Sequence, residues 1–189
     1  MKKNVFLGLL IFLLAIYFIS CEIDNEENYH NDMYVLTSYY IYNANGVLSS
    51  YFKFEYDSKG NQIKSSYYNA NEELSYYSEV EYDSKGNMIK FIYYDKNEEL
   101  SSYSEYEYDS KDNQIKHSSY NANGELNYYY EFEYDSKGNT IKYSNYNANG
   151  ILSSYFEVEY DSKGNPKKES QYNENGELIG YIITNYSIL

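Results

Sequence analysis

Thirty tyrosines, two histidines and a single cysteine are the side chains with chemistry to offer in this 189-residue chain. Tyr51, Tyr77, Tyr103, Tyr129 and Tyr155 recur at a fixed 26-residue step, each followed two positions later by Lys or Glu. Such a column of rings on one face of a sheet could stack on sugar rings or accept a partner protein. The same rings could instead pack on each other and on lysine stems, because cross-strand aromatic pairs stabilise a sheet without any ligand. The histidines offer less. His30 lies in an acidic, polar stretch, and His117 stands where other copies have Ser65, Phe91 or Tyr143. A nucleophile–histidine–acid arrangement needs a unique pocket, which a strict repeat does not supply, so no enzyme activity is expected. Asp57, Asn61, Asn43 and Asn45 carry oxygens that invite a calcium reading. Calcium loops need several oxygens converging, and turn formation already accounts for these residues, so no metal or other cofactor is expected. Cys21 is the chain's one cysteine and cannot form an internal disulfide.

The elements that would position the tyrosines are read from the repeat itself. Tyr-Asp-Ser-Lys-Gly-Asn begins at Tyr56, Tyr82, Tyr134 and Tyr160, with Tyr-Asp-Ser-Lys-Asp-Asn at Tyr108. A second signature, Tyr-Asn-Ala-Asn-Gly and its variants, begins at Tyr42, Tyr68, Tyr94, Tyr120, Tyr146 and Tyr172, again 26 residues apart. A strict period means stacked copies of one small unit, each covering its neighbour. From Leu48 to Tyr56 the residues alternate: Leu48, Ser50, Phe52, Phe54 and Tyr56 share one face, and Ser49, Tyr51, Lys53 and Glu55 the other. That is the period of a strand. Asp57 to Gly60 fits a type I turn with glycine in the left-handed conformation of a bulge. Gln62 to Tyr68 is a shorter strand, and Asn69 to Glu72 turns the chain back. Glu-x-Glu on the long strands faces Lys64, Lys90, Lys116 and Lys142 on the short ones. Such pairs set register, and the Leu/Ile/Phe/Tyr face is expected to supply the stability. The grammar predicts about twelve strands, from Tyr34–Tyr42 through Leu178–Tyr186. The fold expected is all-β: an elongated, curled antiparallel β-meander of 26-residue double-hairpin repeats, its apolar face concave or folded over on itself. Short strands of about seven residues, below the 9–11 that cross a bilayer, argue against a membrane barrel.

Composition narrows the partners. The net charge is −14 and the chain has no arginine, so no basic stripe exists for nucleic acid. At the amino terminus, Lys2 and Lys3 precede an apolar run from Val5 to Ile19, which predicts a signal peptide over residues 1–20. Phe18-Ile19-Ser20-Cys21 resembles the lipobox of bacterial lipoproteins, with Phe18 where leucine is usual. The resemblance implies cleavage before Cys21, lipidation of its thiol and attachment to a membrane of the bacterial cell envelope, on the periplasmic or surface face of the outer membrane. Residues 21–33 then form the lipidated cysteine and an acidic tether, and residues 34–189 a single β-repeat domain.

Glu-Tyr-Asp-Ser-Lys-Gly-Asn-x-Ile-Lys resembles the Tyr-Asp repeats of bacterial Rhs-type proteins. Tyr-Asn-Ala-Asn-Gly-x-Leu is similar to a variant of MORN-type repeats and to the hairpins of choline- and glucan-binding repeats. These resemblances imply hairpin arrays at a cell surface with shell, scaffold or ligand-binding roles. Rhs proteins are far larger and enclose a toxin, and nothing here could be that cargo. Choline-binding repeats build pockets from tryptophan, which this chain lacks. The function expected is a non-catalytic cell-envelope lipoprotein, a binding or scaffold module working through its tyrosine-rich sheet, with envelope polysaccharide or a partner protein as ligand. The alternatives are a carbohydrate-binding module or an immunity or antitoxin-like repeat protein.

Overall fold

The computed structural model describes residues 34–187. The expected signal peptide and tether, with Cys21 and His30, lie outside the described residues. Twelve strands follow one another: β1 (Ser38–Tyr42), β2 (Leu48–Tyr56), β3 (Gln62–Asn69), β4 (Leu74–Tyr82), β5 (Met88–Asp95), β6 (Leu100–Tyr108), β7 (Gln114–Asn121), β8 (Leu126–Tyr134), β9 (Thr140–Asn147), β10 (Leu152–Tyr160), β11 (Pro166–Asn173) and β12 (Leu178–Ile183). They form one antiparallel sheet in strict sequence order, so β1 and β12 are its two edges. The terminal strands are shorter than their sequence pattern predicts, because each has a neighbour on one side alone.

The turns form for local reasons. Asp57 Oδ1 accepts from the Lys59 and Asn61 amides at 2.8 and 2.9 Å, and Oδ2 accepts from Asn61 Nδ2 at 2.9 Å. These bonds hold the Asp57 carboxyl below its usual pKa: the Asn61 side chain contributes most, then the Asn61 and Lys59 amides. Gly60 sits at φ 86°, and the ladder slips beside it between Glu55 and Tyr56, which is the expected glycine bulge. Asp112 occupies the same left-handed position at φ 65°, where Lys85 Nζ meets its carboxylate at 2.7 Å. In the other turn type, Asn69 Oδ1 accepts from the Asn71 and Glu73 amides at 2.9 and 3.1 Å.

Register gives the sheet a stagger. Tyr51 pairs with Tyr68, but its counterpart Tyr77 pairs with Ser66, two residues earlier on β3. Each pair of strands therefore advances about 6.8 Å along the strand for about 9.6 Å across it. Equivalent residues climb at about 35° to the perpendicular, the tilt at which barrels curl. The ribbon is open yet coiled.

Each strand contacts its sequence neighbours alone among the described strands, so of the two expected forms the apolar face does not take the folded-over one. The core departs from expectation in that this face does not carry the stability by itself. The most buried hydrophobic residues are Tyr51 and Tyr77 on the charged face, at 5% and 8% exposure, and Val80 and Phe91 on the opposite face. A single layer leaves both faces wet, so burial comes from side chains lying flat on one another along the sheet. Tyrosine suits this, with a broad ring to cover neighbours and a hydroxyl to meet water.

Candidate functional site: two unlike faces

On the face of Tyr51, cross-strand neighbours form rows that repeat. One runs Glu81–Lys90–Glu105–Ser118–Tyr129–Tyr146–Leu152 across β4 to β10. The next runs Glu107–Lys116–Glu131–Ser144–Tyr155–Tyr172–Leu178 across β6 to β12. Each row sorts itself into a charged half and an aromatic half. The serine gives the junction its room: Ser66, Ser118, Ser144 and Ser170 are all buried beneath their neighbours.

This face holds the predicted tyrosine stripe, and the structure shows what occupies its rings. Tyr51 stacks on Tyr68, Tyr77 on Tyr94, Tyr103 on Tyr120, Tyr129 on Tyr146 and Tyr155 on Tyr172, with centroids 4.6–4.7 Å apart and planes within 11° of parallel. Lys64 lies over Tyr77 at 4.2 Å, Lys90 over Tyr103 at 4.5 Å, Lys116 over Tyr129 at 4.8 Å and Lys142 over Tyr155 at 5.0 Å. The same lysines reach glutamates: Lys64 to Glu79 at 3.2 Å, Lys90 to Glu105 at 3.4 Å and Lys142 to Glu133 at 3.4 Å. The rings thus pack on one another and on lysine. A sugar ring stacking here must displace a cation–π contact of about 0.5–1 kcal/mol or an aromatic pair of about 0.5–1.5 kcal/mol. The hydroxyls of Tyr103, Tyr129 and Tyr155 end 3.6–3.7 Å from where a Cβ would stand on Gly124, Gly150 and Gly176, so each ring reaches the edge of the next hairpin's turn.

A second set of tyrosines, which the turn motif named but whose role sequence reasoning missed, works along one end of the strands. Tyr56, Tyr82, Tyr108, Tyr134 and Tyr160 donate their hydroxyls to the carbonyls of Leu36, Gln62, Met88, Gln114 and Thr140, each 20 residues earlier and at 2.6–2.8 Å. Burial pushes the pKa of all these phenols up. The signal was available, since a tyrosine precedes every Asp-Ser-Lys turn, but its acceptor lies 20 residues earlier, on another strand or, for Leu36, just ahead of β1.

The opposite face is different. Its rows read Phe54–Ser65–Ser78–Tyr93–Ser102, then Val80–Phe91–Ser104–Ser119–Tyr128, then Tyr106–His117–Tyr130–Asn145–Ser154. One position alone passes through Ser65, Phe91, His117, Tyr143 and Glu169. Tyr76, Tyr93 and Tyr128 stand out from this face with about two-fifths of their surface exposed. They are held in place: Tyr76 stacks on Tyr67 at 4.9 Å, Tyr93 tilts against Phe91 at 4.7 Å and Tyr128 meets Tyr130 edge-on at 5.6 Å. His117 lies parallel to Tyr106 at 4.8 Å, and burial pulls its pKa down. Its Nε2 and Asn145 Oδ1 are buried with no hydrogen-bond partner. Tyr143 sits between Phe132 and Phe156 and donates to Glu169 at 3.3 Å; burial first, then the Glu169 charge and hydrogen bond, raise its pKa to about 12.

Among the described residues, no group of three or more His, Cys, Asp or Glu is placed to hold a metal. No described helix is long and apolar enough to cross a membrane. A depression of about 400 Å³ opens beside Lys90, Ile92, Tyr103 and Gly124, on the tyrosine-lysine face. It is shallow and open to solvent.

No protein-family model and no curated protein sequence matches this chain. Solved structures with some likeness include a Tc holotoxin pore from Photorhabdus luminescens, at 14% identity and a TM-score of 0.43, covering 74% of this chain and 9% of that one. A TcdB2-TccC3 structure shows 14% identity and a TM-score of 0.45, over 76% of this chain and 10% of the other. A porin-like protein from Bacteroides uniformis shows 16% identity and a TM-score of 0.41, over 66% of this chain and 49% of the other. The chain spans less than half the length of each of these. At such scores the likenesses carry no functional argument.

Proposed function

We propose that this chain is a non-catalytic binding or scaffold module of the bacterial cell envelope, anchored through a lipid on Cys21. One observation supports the binding role above the rest: copies of the repeat agree on one face and differ on the other. The tyrosine-lysine face repeats nearly unchanged because it is the seam between units. The variable face is freed from that duty, and repeat proteins bind partners through extended surfaces of this kind. Ligand recognition therefore belongs to the face of Tyr76, Tyr93 and Tyr128, opposite the stripe that sequence spacing singled out.

Carbohydrate is the ligand class this face favours. Preordered, half-exposed rings offer stacking platforms. The test is binding of isolated envelope polysaccharide to wild type, to Tyr93→Ala/Tyr128→Ala and to Tyr77→Ala/Tyr103→Ala. Saturable binding lost in the first variant and kept in the second supports the reading. Loss in the second with retention in the first sinks it. Anchoring is tested separately, by metabolic labelling with a fatty-acid probe in wild type and Cys21→Ala.

A further inference from the structure

The two edges of the sheet are unlike every strand between them. Residues 34–42 and 178–187 contain no charged side chain, whereas each of β2 to β11 carries at least one. Natural edge strands are usually blunted with lysine or other charges to prevent edge-to-edge pairing. Here the edges are the least protected strands. Ile179, Tyr181, Ile182 and Ile183 on β12 are 59–64% exposed, and Tyr40, Ile41 and Tyr42 on β1 are 43–58% exposed.

The missing charges match one another. In the repeat, Ile183 and Asn185 take the places of Glu157 and Glu159, and Ser38 takes the place of Lys64. Inside the sheet, Glu159 pairs across to Lys168, and Lys168 Nζ meets it at 3.3 Å. Extending the β10–β11 register beyond β12 puts Asn185 opposite Ser38 of another copy, Ile183 opposite Tyr40, and Tyr181 opposite Tyr42. A neutral pair then replaces the ion pair, an apolar pair replaces Glu157–Ser170, and a Tyr–Tyr pair replaces Tyr155–Tyr172. The strand directions also agree. The strands alternate, so β12 runs opposite to β1, and a translated second copy offers β1 as an antiparallel neighbour.

We propose that β12 of one copy pairs with β1 of the next in the internal register of the repeat, so that the sheet continues from chain to chain. The contact is heterologous and does not close, so it builds short fibres rather than a dimer. It depends on the edges alone and not on what the variable face binds. The seam is one strand pair, small beside the roughly 1,200–2,000 Å² of stable interfaces, and the chain's −14 charge repels its copies. Assembly should therefore lengthen with salt.

Disulfide trapping tests the register on the full-length chain expressed in cells. Ser38 lies in β1 and Asn185 just beyond β12, about 50 Å apart across one sheet at about 4.8 Å per strand, so a bond between them is intermolecular. Ser38→Cys/Asn185→Cys should give, on oxidation, a ladder of dimers, trimers and longer species on non-reducing gels. With Cys21→Ala in every variant, so that no further thiol is present, either single variant should stop at dimers. Ser38→Cys/Thr184→Cys, one residue out of register and on the other face, should give at least tenfold less ladder. Absence of the ladder, or equal ladders from both pairs, overturns the proposal and leaves the edges to another partner or to the chain's own remaining residues. An independent check needs no cysteine beyond the native one. Ser38→Lys/Asn185→Glu, which restores the internal ion pair, should retain lysine-reactive crosslinking between copies, and Ser38→Lys/Asn185→Lys should lose it. Equal crosslinking of the two refutes the pairing.

Discussion

Tyr108→Phe removes one hydroxyl and nothing else. That hydroxyl donates to the Met88 carbonyl at 2.8 Å in a half-buried setting, and burial has raised the Tyr108 pKa. Deleting it leaves the carbonyl short of a partner in a place water reaches poorly, at a cost of about 1 kcal/mol. For a domain of this size that is about 2–4 °C in Tm. The array supplies its own control. Tyr56 makes the same bond to Leu36 at 2.7 Å, but here the acceptor residue is exposed, ahead of the sheet's first strand. Water can replace the lost hydroxyl there, so Tyr56→Phe should cost less than half as much. The two sites are two repeats apart with no shared partner, so their effects should add to within about 0.5 kcal/mol. Urea unfolding followed by circular dichroism gives both free energies, with the slope expected to stay constant. A Tyr108→Phe variant as stable as wild type, or a Tyr56→Phe variant that loses as much, would show that these latches do not hold consecutive hairpins together by burial.

Alkaline pH should loosen the fold. Tyr143 loses its proton near pH 10 when unfolded and near 12 when folded, so its contribution is complete below pH 10 and fades between 10 and 12. Tyr143→Phe should flatten that part of the stability profile, measured by melting temperature against pH. His117 runs the other way: burial depresses its folded pKa, so the stability present above pH 6.5 is lost as the pH falls through the lower folded value. His117→Phe, which copies Phe91, should remove this acid sensitivity, and an unchanged profile between pH 7 and 5 would contradict the burial argument. Glu98 stands at φ 64°, where equivalent copies have Gly124 and Gly150. Glu98→Gly should gain about 0.5–1 kcal/mol in chemical denaturation, since relief of the left-handed backbone exceeds the added freedom of the unfolded chain.

Much of this architecture was legible in the residues because it is local. Asp57 and Gly60 make their turn whatever surrounds them, and a two-residue alternation from Leu48 to Tyr56 permits a strand and no helix. A strict 26-residue period then forces every unit to repeat the solution, which is why the strand number and order could be read from Tyr34 to Tyr186. The faces were another matter. Alternation assigns side chains to two sides of a strand, but it does not say which side is covered. Spacing left Tyr51 and Tyr77 two readings, a ladder open to a ligand or rings packed on one another and on lysine stems, because Glu and Lys share their side. In the sheet, Tyr68 and Tyr94 close over one side of these rings, and lysine lies on them as well. The partner of the Tyr108 hydroxyl was hidden for a related reason: it is a backbone carbonyl, and every residue has one.

The charge, the period and the turn chemistry are properties of the covalent chain, and they determined a meander of hairpins with no basic surface and uncharged ends. The stagger between successive strands was decided in three dimensions. It sets serine opposite tyrosine, lysine over the ring, and one invariant face against one variable face. Those pairings depend on which residues meet across strands, a distance that spacing along one strand does not measure.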